Sequence, residues 1–224
     1  MTSDRFSDPA AVARYADGAR RTVPGLAVLH GLIDQLLAEA VPAQGRVLVV
    51  GAGGGLELAY LAERHEGWTF DGVDPSAPML ELARRAMGPR AGRATLREGY
   101  VADAPAGPFD GATCLLTLHF VPRDERLRTL REIRRRLRPG APLLVFHHSV
   151  PGGEARAAWL ARAARFAAGP DADPAEVARS VTALSTRLPL LSPEEDEGLL
   201  REAGFTEVGV FYAALTFRGW LARG

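Results

Sequence analysis

Residues 51–55, Gly-Ala-Gly-Gly-Gly, follow directly on the apolar run Arg46-Val47-Leu48-Val49-Val50. Behind them Leu58, Ala59, Leu61 and Ala62 recur at helical spacing. Glycine suits a turn whose backbone takes positive φ and where a ligand approaches without meeting a Cβ. The helix that follows offers N–H groups to an anionic group. Leu56 stands where a dinucleotide-type turn would place its third glycine, so the pattern is GxGxG. Farther on, Trp68-Thr69-Phe70-Asp71-Gly72-Val73 runs into Asp74. A carboxylate at such a strand end can accept both hydroxyls of a ribose. Capping the helix that begins near Pro75 is the structural alternative for Asp74.

Three histidines are candidates for proton chemistry. His119 follows the fourth predicted strand, and His147 and His148 end the fifth. Side chains alternate along a strand, so only one of the last two can face a cleft. A general base assists a hydroxyl acceptor by about 10²–10⁴-fold. We assign that task to His148 first and His119 second; the competing reading of each is a packed or surface histidine. Tyr15, Arg179 and His147 are candidate substrate contacts. The five histidines and the single cysteine show no zinc-type spacing.

The elements that must position these residues alternate between strand and helix. Helices are predicted over 9–19 and 25–40, the second with the stripe Leu26, Leu29, Leu32, Ile33, Leu36 and Leu37. Tyr15, Arg20, Arg21 and His30 are the polar features there, either helix-surface chemistry or part of a lid over the ligand. A helix over 76–87 follows Asp74, and a short strand at Thr95-Leu96-Arg97 leads into Glu98-Gly99-Tyr100-Val101-Ala102-Asp103. In that loop Asp103 reads equally as an adenine contact or a plain turn residue. The fourth strand spans 111–118, an arginine-rich helix 122–137, and the fifth strand 142–146. The seven arginines between Arg126 and Arg138 read mostly as a solvated face, with acids interleaved. Residues 152–188 break the alternation with two added helices, over 155–168 and 174–184. Ser192-Pro193-Glu194-Glu195 starts another helix. Two closing strands, 206–211 and 214–222, suggest a hairpin at one sheet edge.

A chain of 224 residues with 27 basic and 27 acidic side chains reads as one domain with no bulk field favouring nucleic acid or an anionic membrane. All the basic residues are arginine, so no lysine amine is available for Schiff-base chemistry. The lone Cys114, the absence of a signal-type N-terminus and the lack of a long apolar run predict a cytoplasmic protein.

In order, VLVVGAGGG, VDPSAPMLELAR, LREGYVADAP, FDGATCLLTLHF and LREIRRRLRPGAPLLVF resemble the class I S-adenosylmethionine-dependent methyltransferases, from Val47 to about Ser149. The terminal AGFTEVGVFYAALTF is similar to that family's last two strands. The resemblance implies a Rossmann-like three-layer α/β sandwich with a seven-stranded, mostly parallel sheet whose last strand is antiparallel. Residues 9–40 and 152–188 then become lid helices of a single domain. It places S-adenosylmethionine over Gly51, Ala52 and Gly53, the ribose on Asp74, and the adenine near Pro75, Met79, Val101 and Ala102, with Leu116 also on the cofactor wall. TVPGL, TLHF and RSV…LLREAGF further resemble the subgroup containing carboxy-S-adenosylmethionine synthases of tRNA modification. That likeness aligns Arg179 with the arginine holding the extra carboxylate, and implies prephenate-dependent consumption of S-adenosylmethionine. Leu26, Leu115 and Tyr100 replace that subgroup's tyrosine, asparagine and aspartate. The first two changes remove polar contacts and favour an ordinary methyl donor. Three functions follow for testing: methylation of a small-molecule acceptor, carboxylated-cofactor synthesis, and cofactor binding without catalysis. Neither membrane nor nucleic acid is an expected partner, and a homodimer is left open.

Overall fold

The computed structural model describes Val12 and residues 14–224. Part of the predicted first helix, residues 9–11 and 13, lies outside the described residues. The chain begins with α1 (Tyr15–Thr22) and α2 (Leu26–Ala38). The core then alternates through β1 (Arg46–Val50), α3 (Leu56–Arg64), β2 (Thr69–Asp74), α4 (Ala77–Met87) and β3 (Ala94–Glu98). It continues with β4 (Gly111–Leu115), α5 (Arg123–Arg136) and β5 (Pro142–His148). Helices α6 (Ala155–Ala168) and α7 (Pro174–Arg187) are inserted before α8 (Pro193–Glu202), β6 (Thr206–Ala214) and β7 (Phe217–Arg223).

The seven strands form one sheet in the order β3-β2-β1-β4-β5-β7-β6. β1 to β5 pair in parallel, while β7 runs antiparallel to both β5 and β6. This is the Rossmann-like sheet that the sequence implies. Strand order reverses between β1 and β4, and ligands of open α/β sheets bind at such a switch point.

Alternation along the strands explains why β1 reads as a continuous apolar run. Val47 and Val49 pack with Leu29 and Ile33 of α2, Leu58 of α3 and Leu80 of α4. Leu48 and Val50 face the opposite layer, with Leu130 of α5 and Leu199 of α8. β5 divides likewise, Leu144 and Phe146 to the first layer, Leu143 and Val145 to the second. Helices on both faces leave no polar side to the central strands.

Two arginines of α5 depart from the solvated-face expectation. Arg126 is 1% exposed and Arg136 2%. Arg126 pairs with the equally buried Asp196 of α8 and donates to the Pro189 carbonyl at 3.0 Å. Arg136 pairs with Glu132 and donates to the Ala102 carbonyl at 2.9 Å. A guanidinium enters a core when its donors meet acceptors in this way.

Helices α6 and α7 pair around a small core of their own, Val150, Leu160 and Leu190 with Trp159, Val181 and Leu184. α1 packs against α6, so the N-terminal and inserted segments meet.

Candidate active site

The glycine turn is bound tightly to its neighbours. The Gly51 and Ala52 amides both donate to the Val73 carbonyl, at 2.9 and 3.0 Å. Gly53 donates to Asp74 Oδ2 at 3.0 Å and Gly54 to the Met79 carbonyl at 3.2 Å. Four amides are thus spent on β2, its end and α4, and the turn is no phosphate cradle. An anionic group would be left with the first turn of α3, where Glu57 already stands. Gly51 has φ +78°, and a Cβ there would lie 1.9 Å from Thr117 Oγ1, just past β4. Gly54 has φ +82°, and its Cβ would lie 2.4 Å from Cε1 of Tyr15. Gly51 and Gly54 are therefore bare of side chains because β4's end and the Tyr15 ring close over them.

Asp74 holds the turn from the side. Oδ2 accepts from Gly53 and Oδ1 from the Ser76 amide at 2.9 Å. The cap of α4 is Ser76, whose hydroxyl accepts from the Met79 amide at 3.3 Å. Each Asp74 oxygen retains acceptor capacity beyond its one amide, as a ribose diol requires. Burial raises its pKa, and the Ser76 and Gly53 amides pull against that rise. The Gly99 amide donates to the Asp74 carbonyl at 3.0 Å, which brings the loop carrying Val101 and Ala102 alongside. Val101 and Met79 are buried there, and Pro75 and Ala102 are exposed. Asp103 accepts from the Tyr100 amide at 2.8 Å and so serves as a turn residue.

Over the turn lies a cavity of about 30 Å³, lined by Tyr15, Leu26, His30, Glu57, Leu115 and Leu116 among others. It has space for water but not for a nucleoside. Leu116 has φ +55°, an uncommon conformation for a residue with a Cβ, and it marks the β4 end as constrained. Burial, then the charges of Glu57 and Asp74, push the Tyr15 hydroxyl up to about 12. Burial and then the charge of Arg20 lower His30, which favours its neutral form. Glu57 is pushed up to about 7 by burial, with partial relief from Thr113. Sequence reasoning had not singled out Glu57 or Thr117. An acid in a helix's first turn is ordinary, and only burial marks Glu57.

The histidines gather at the adjoining strand end. His148 Nδ1 lies 2.8 Å from Thr216 Oγ1, and its ring meets that of His119 edge-on at 5.1 Å. Burial, then the neighbouring His147, lower His148 to about 3. His147 points the other way. It is 1% exposed, lies 3.7 Å from Asp196 and meets the Trp220 ring at a tilt in the α5–α8 layer. Strand alternation thus withdraws His147 from the cleft, and the structure does not place it as a substrate contact. Arg179 is likewise not brought to the glycine turn. It is exposed on α7 in a surface groove with Thr182, Thr186 and Arg187. Among the described residues no group of three or more His, Cys, Asp or Glu side chains could hold a metal ion.

Comparison with known proteins bears on the fold. Residues 47–140 match the family described as a methyltransferase domain. The carboxy-S-adenosyl-L-methionine synthase of Chromohalobacter salexigens is 27% identical over 220 residues, 96% of this chain and 82% of that protein. An O-methyltransferase family protein from Burkholderia thailandensis superposes with a TM-score of 0.72 at 18% identity, over 100% of this chain and 62% of that one. Human N-acetylserotonin methyltransferase, solved in complex with S-adenosylmethionine, gives 0.67 at 16%, over 100% and 59%. The chain thus spans about three fifths of the length of the solved structures it matches. Residues 47–140 thus carry the sequence of a methyltransferase domain, and the whole chain takes the fold of the S-adenosylmethionine-dependent methyltransferases it resembles.

Proposed function

We propose that this protein transfers the methyl group of S-adenosylmethionine to a small organic acceptor. The observation that carries the reading is the charge of the site: two carboxylates, Asp74 and Glu57, lie near Tyr15 beside the turn, and among the described residues no arginine lines the cavity. Such a wall suits a cationic nucleoside and repels phosphate or an added carboxylate. S-adenosylmethionine supplies an electrophilic methyl on a sulfonium, so the protein's task is to position the acceptor and exclude water. Those effects are worth roughly 7–11 kcal/mol in well-oriented systems.

Asp74 would accept the ribose hydroxyls, with Gly51, Ala52 and Leu116 beneath the methionine end. Met79, Pro75, Val101 and Ala102 would border the adenine. Because Tyr15 covers Gly54, the cofactor would enter by displacing this ring, and α1, which carries it, is in contact with α6. His148 and His119 border the acceptor. A ring whose conjugate acid lies at about 3 is a poor proton acceptor, so His148 orients a hydroxyl more than it deprotonates one. Cys114 is buried and unpaired, in keeping with a cytoplasmic setting.

The second reading, synthesis of a carboxylated cofactor, has the curated relatives in its favour. Arg179's exposed position on α7 counts against it. Incubation with S-adenosylmethionine and a panel of small phenols, amines and carboxylic acids, read by mass spectrometry, separates the two. Formation of S-adenosylhomocysteine with a methylated acceptor supports the first. Prephenate-dependent appearance of a carboxylated sulfonium overturns it. Saturable cofactor binding with neither product points to the non-catalytic alternative.

A further inference from the structure

Glu57 lines the cavity, and the ribose geometry leaves it without a task. Its Oε1 is sealed from solvent and makes no hydrogen bond. Thr113 stands close enough to stabilise the carboxylate somewhat, yet its own hydroxyl makes no bond of ordinary geometry. An acceptor left buried and unpaired is unfavourable, more so when charged. A ligand group that repairs this must be cationic and must carry a hydrogen to donate. The sulfonium of S-adenosylmethionine meets the first condition only. Its α-ammonium meets both.

We infer that Glu57 accepts a hydrogen bond from the α-ammonium of bound S-adenosylmethionine and is the counter-charge that fixes the amino-acid end of the cofactor. This rests on the methyl-donor reading above. Tyr15 feels the charges of both Glu57 and Asp74, so both carboxylates lie near one ring. One serves the sugar and the other the amino-acid tail. Tyr15 from α1, His30 from α2, Asp74 from β2 and Cys114 from β4 are the titratable groups around them. Burial holds Tyr15 and Cys114 far above neutrality and keeps His30 neutral.

Calorimetric titration of wild type and Glu57→Gln tests the assignment with S-adenosylmethionine, S-adenosylhomocysteine and methylthioadenosine. The second ligand keeps the ammonium without the sulfonium charge, and the third has neither. Glu57→Gln should weaken the first two alike, by tenfold or more, and leave methylthioadenosine unchanged, which also reports an intact nucleoside site. For a group titrating near 7, wild-type affinity for S-adenosylmethionine should rise roughly tenfold from pH 6 to 8. That slope should vanish in Glu57→Gln, which keeps Asp74. Unchanged binding in the variant overturns the inference. So does equal loss of all three ligands, which marks a structural role, or loss of S-adenosylmethionine alone, which turns the carboxylate toward the sulfonium. A wild type that binds neither adenosyl amino acid removes the methyl-donor reading itself, and the inference with it.

Discussion

Asp74 shapes the glycine turn and, in the proposed cofactor pose, would present the ribose acceptors, so substitutions there separate by chemistry. Asp74→Asn keeps the volume and replaces one acceptor oxygen with a donor nitrogen facing either Gly53 or Ser76. Affinity for S-adenosylmethionine should fall tenfold or more, about 1.4 kcal/mol, and calorimetry checks it. At His148 the low pKa of about 3 predicts a neutral ring from pH 5 to 8. His148→Gln should lower turnover at least tenfold without changing cofactor affinity, and the wild-type rate should show no inflection from this ring in that range. A full-speed variant would reduce His148 to packing against Phe217. Legibility at this scale followed position along the chain. Asp74 was readable because strand, glycine turn and strand-end acid arrive in order. Glu57 was not, since a first-turn glutamate usually answers the helix dipole in solvent, and burial is decided by what packs above it. The outward face of Arg179 was equally hidden, because sequence does not say which side of an added helix meets the sheet.

Among the elements, the sheet and its helices were legible from period alone, and the boundaries shifted by a few residues. The fifth strand extends to His148 because β7 pairs along its whole length. Cross-element ion pairing left no such trace. Arg126 sits beside the apolar position Leu127 in a run of arginines, and only the tertiary fold delivers Asp196 from α8 to meet it. This pair fastens α5 to α8 beneath β5, with His147 against it. Removing one member strands a buried charge. Asp196→Ala should therefore cost about 3–5 kcal/mol, read from urea unfolding. An Arg126→Leu, Asp196→Leu double variant should lose much less. Equal losses in the single and double variants would show that packing, not charge, dominates here.

For the molecule as a whole, 27 acidic and 27 basic side chains cancel, so pH acts on stability through individual buried groups. Glu57 and His148 act in opposition. The folded protein holds Glu57 near 7 against an ordinary 4.5, so it binds a proton that the unfolded chain has released. That contribution is complete below about 4.5 and is lost as pH rises through 7. The folded protein holds His148 near 3 against an ordinary 6.5, so the unfolded chain binds the extra proton. That contribution is complete above about 6.5 and is lost as pH falls toward 3. Between 4.5 and 6.5 the two slopes, each up to about 1.4 kcal/mol per pH unit, run in opposite directions. His147, also lowered by burial, adds to the histidine side. Wild type should consequently lose stability only gently on acidification through this window. Glu57→Gln removes the compensating slope, so its urea midpoint should fall steeply over the same range. His148→Phe should move the other way, flattening or reversing the wild-type trend. Unfolding curves for the three proteins at pH 4.5, 5.5, 6.5 and 8 would decide. Parallel pH profiles would mean that neither group is held in the folded protein as its surroundings dictate, and that the cleft admits water where the structure excludes it.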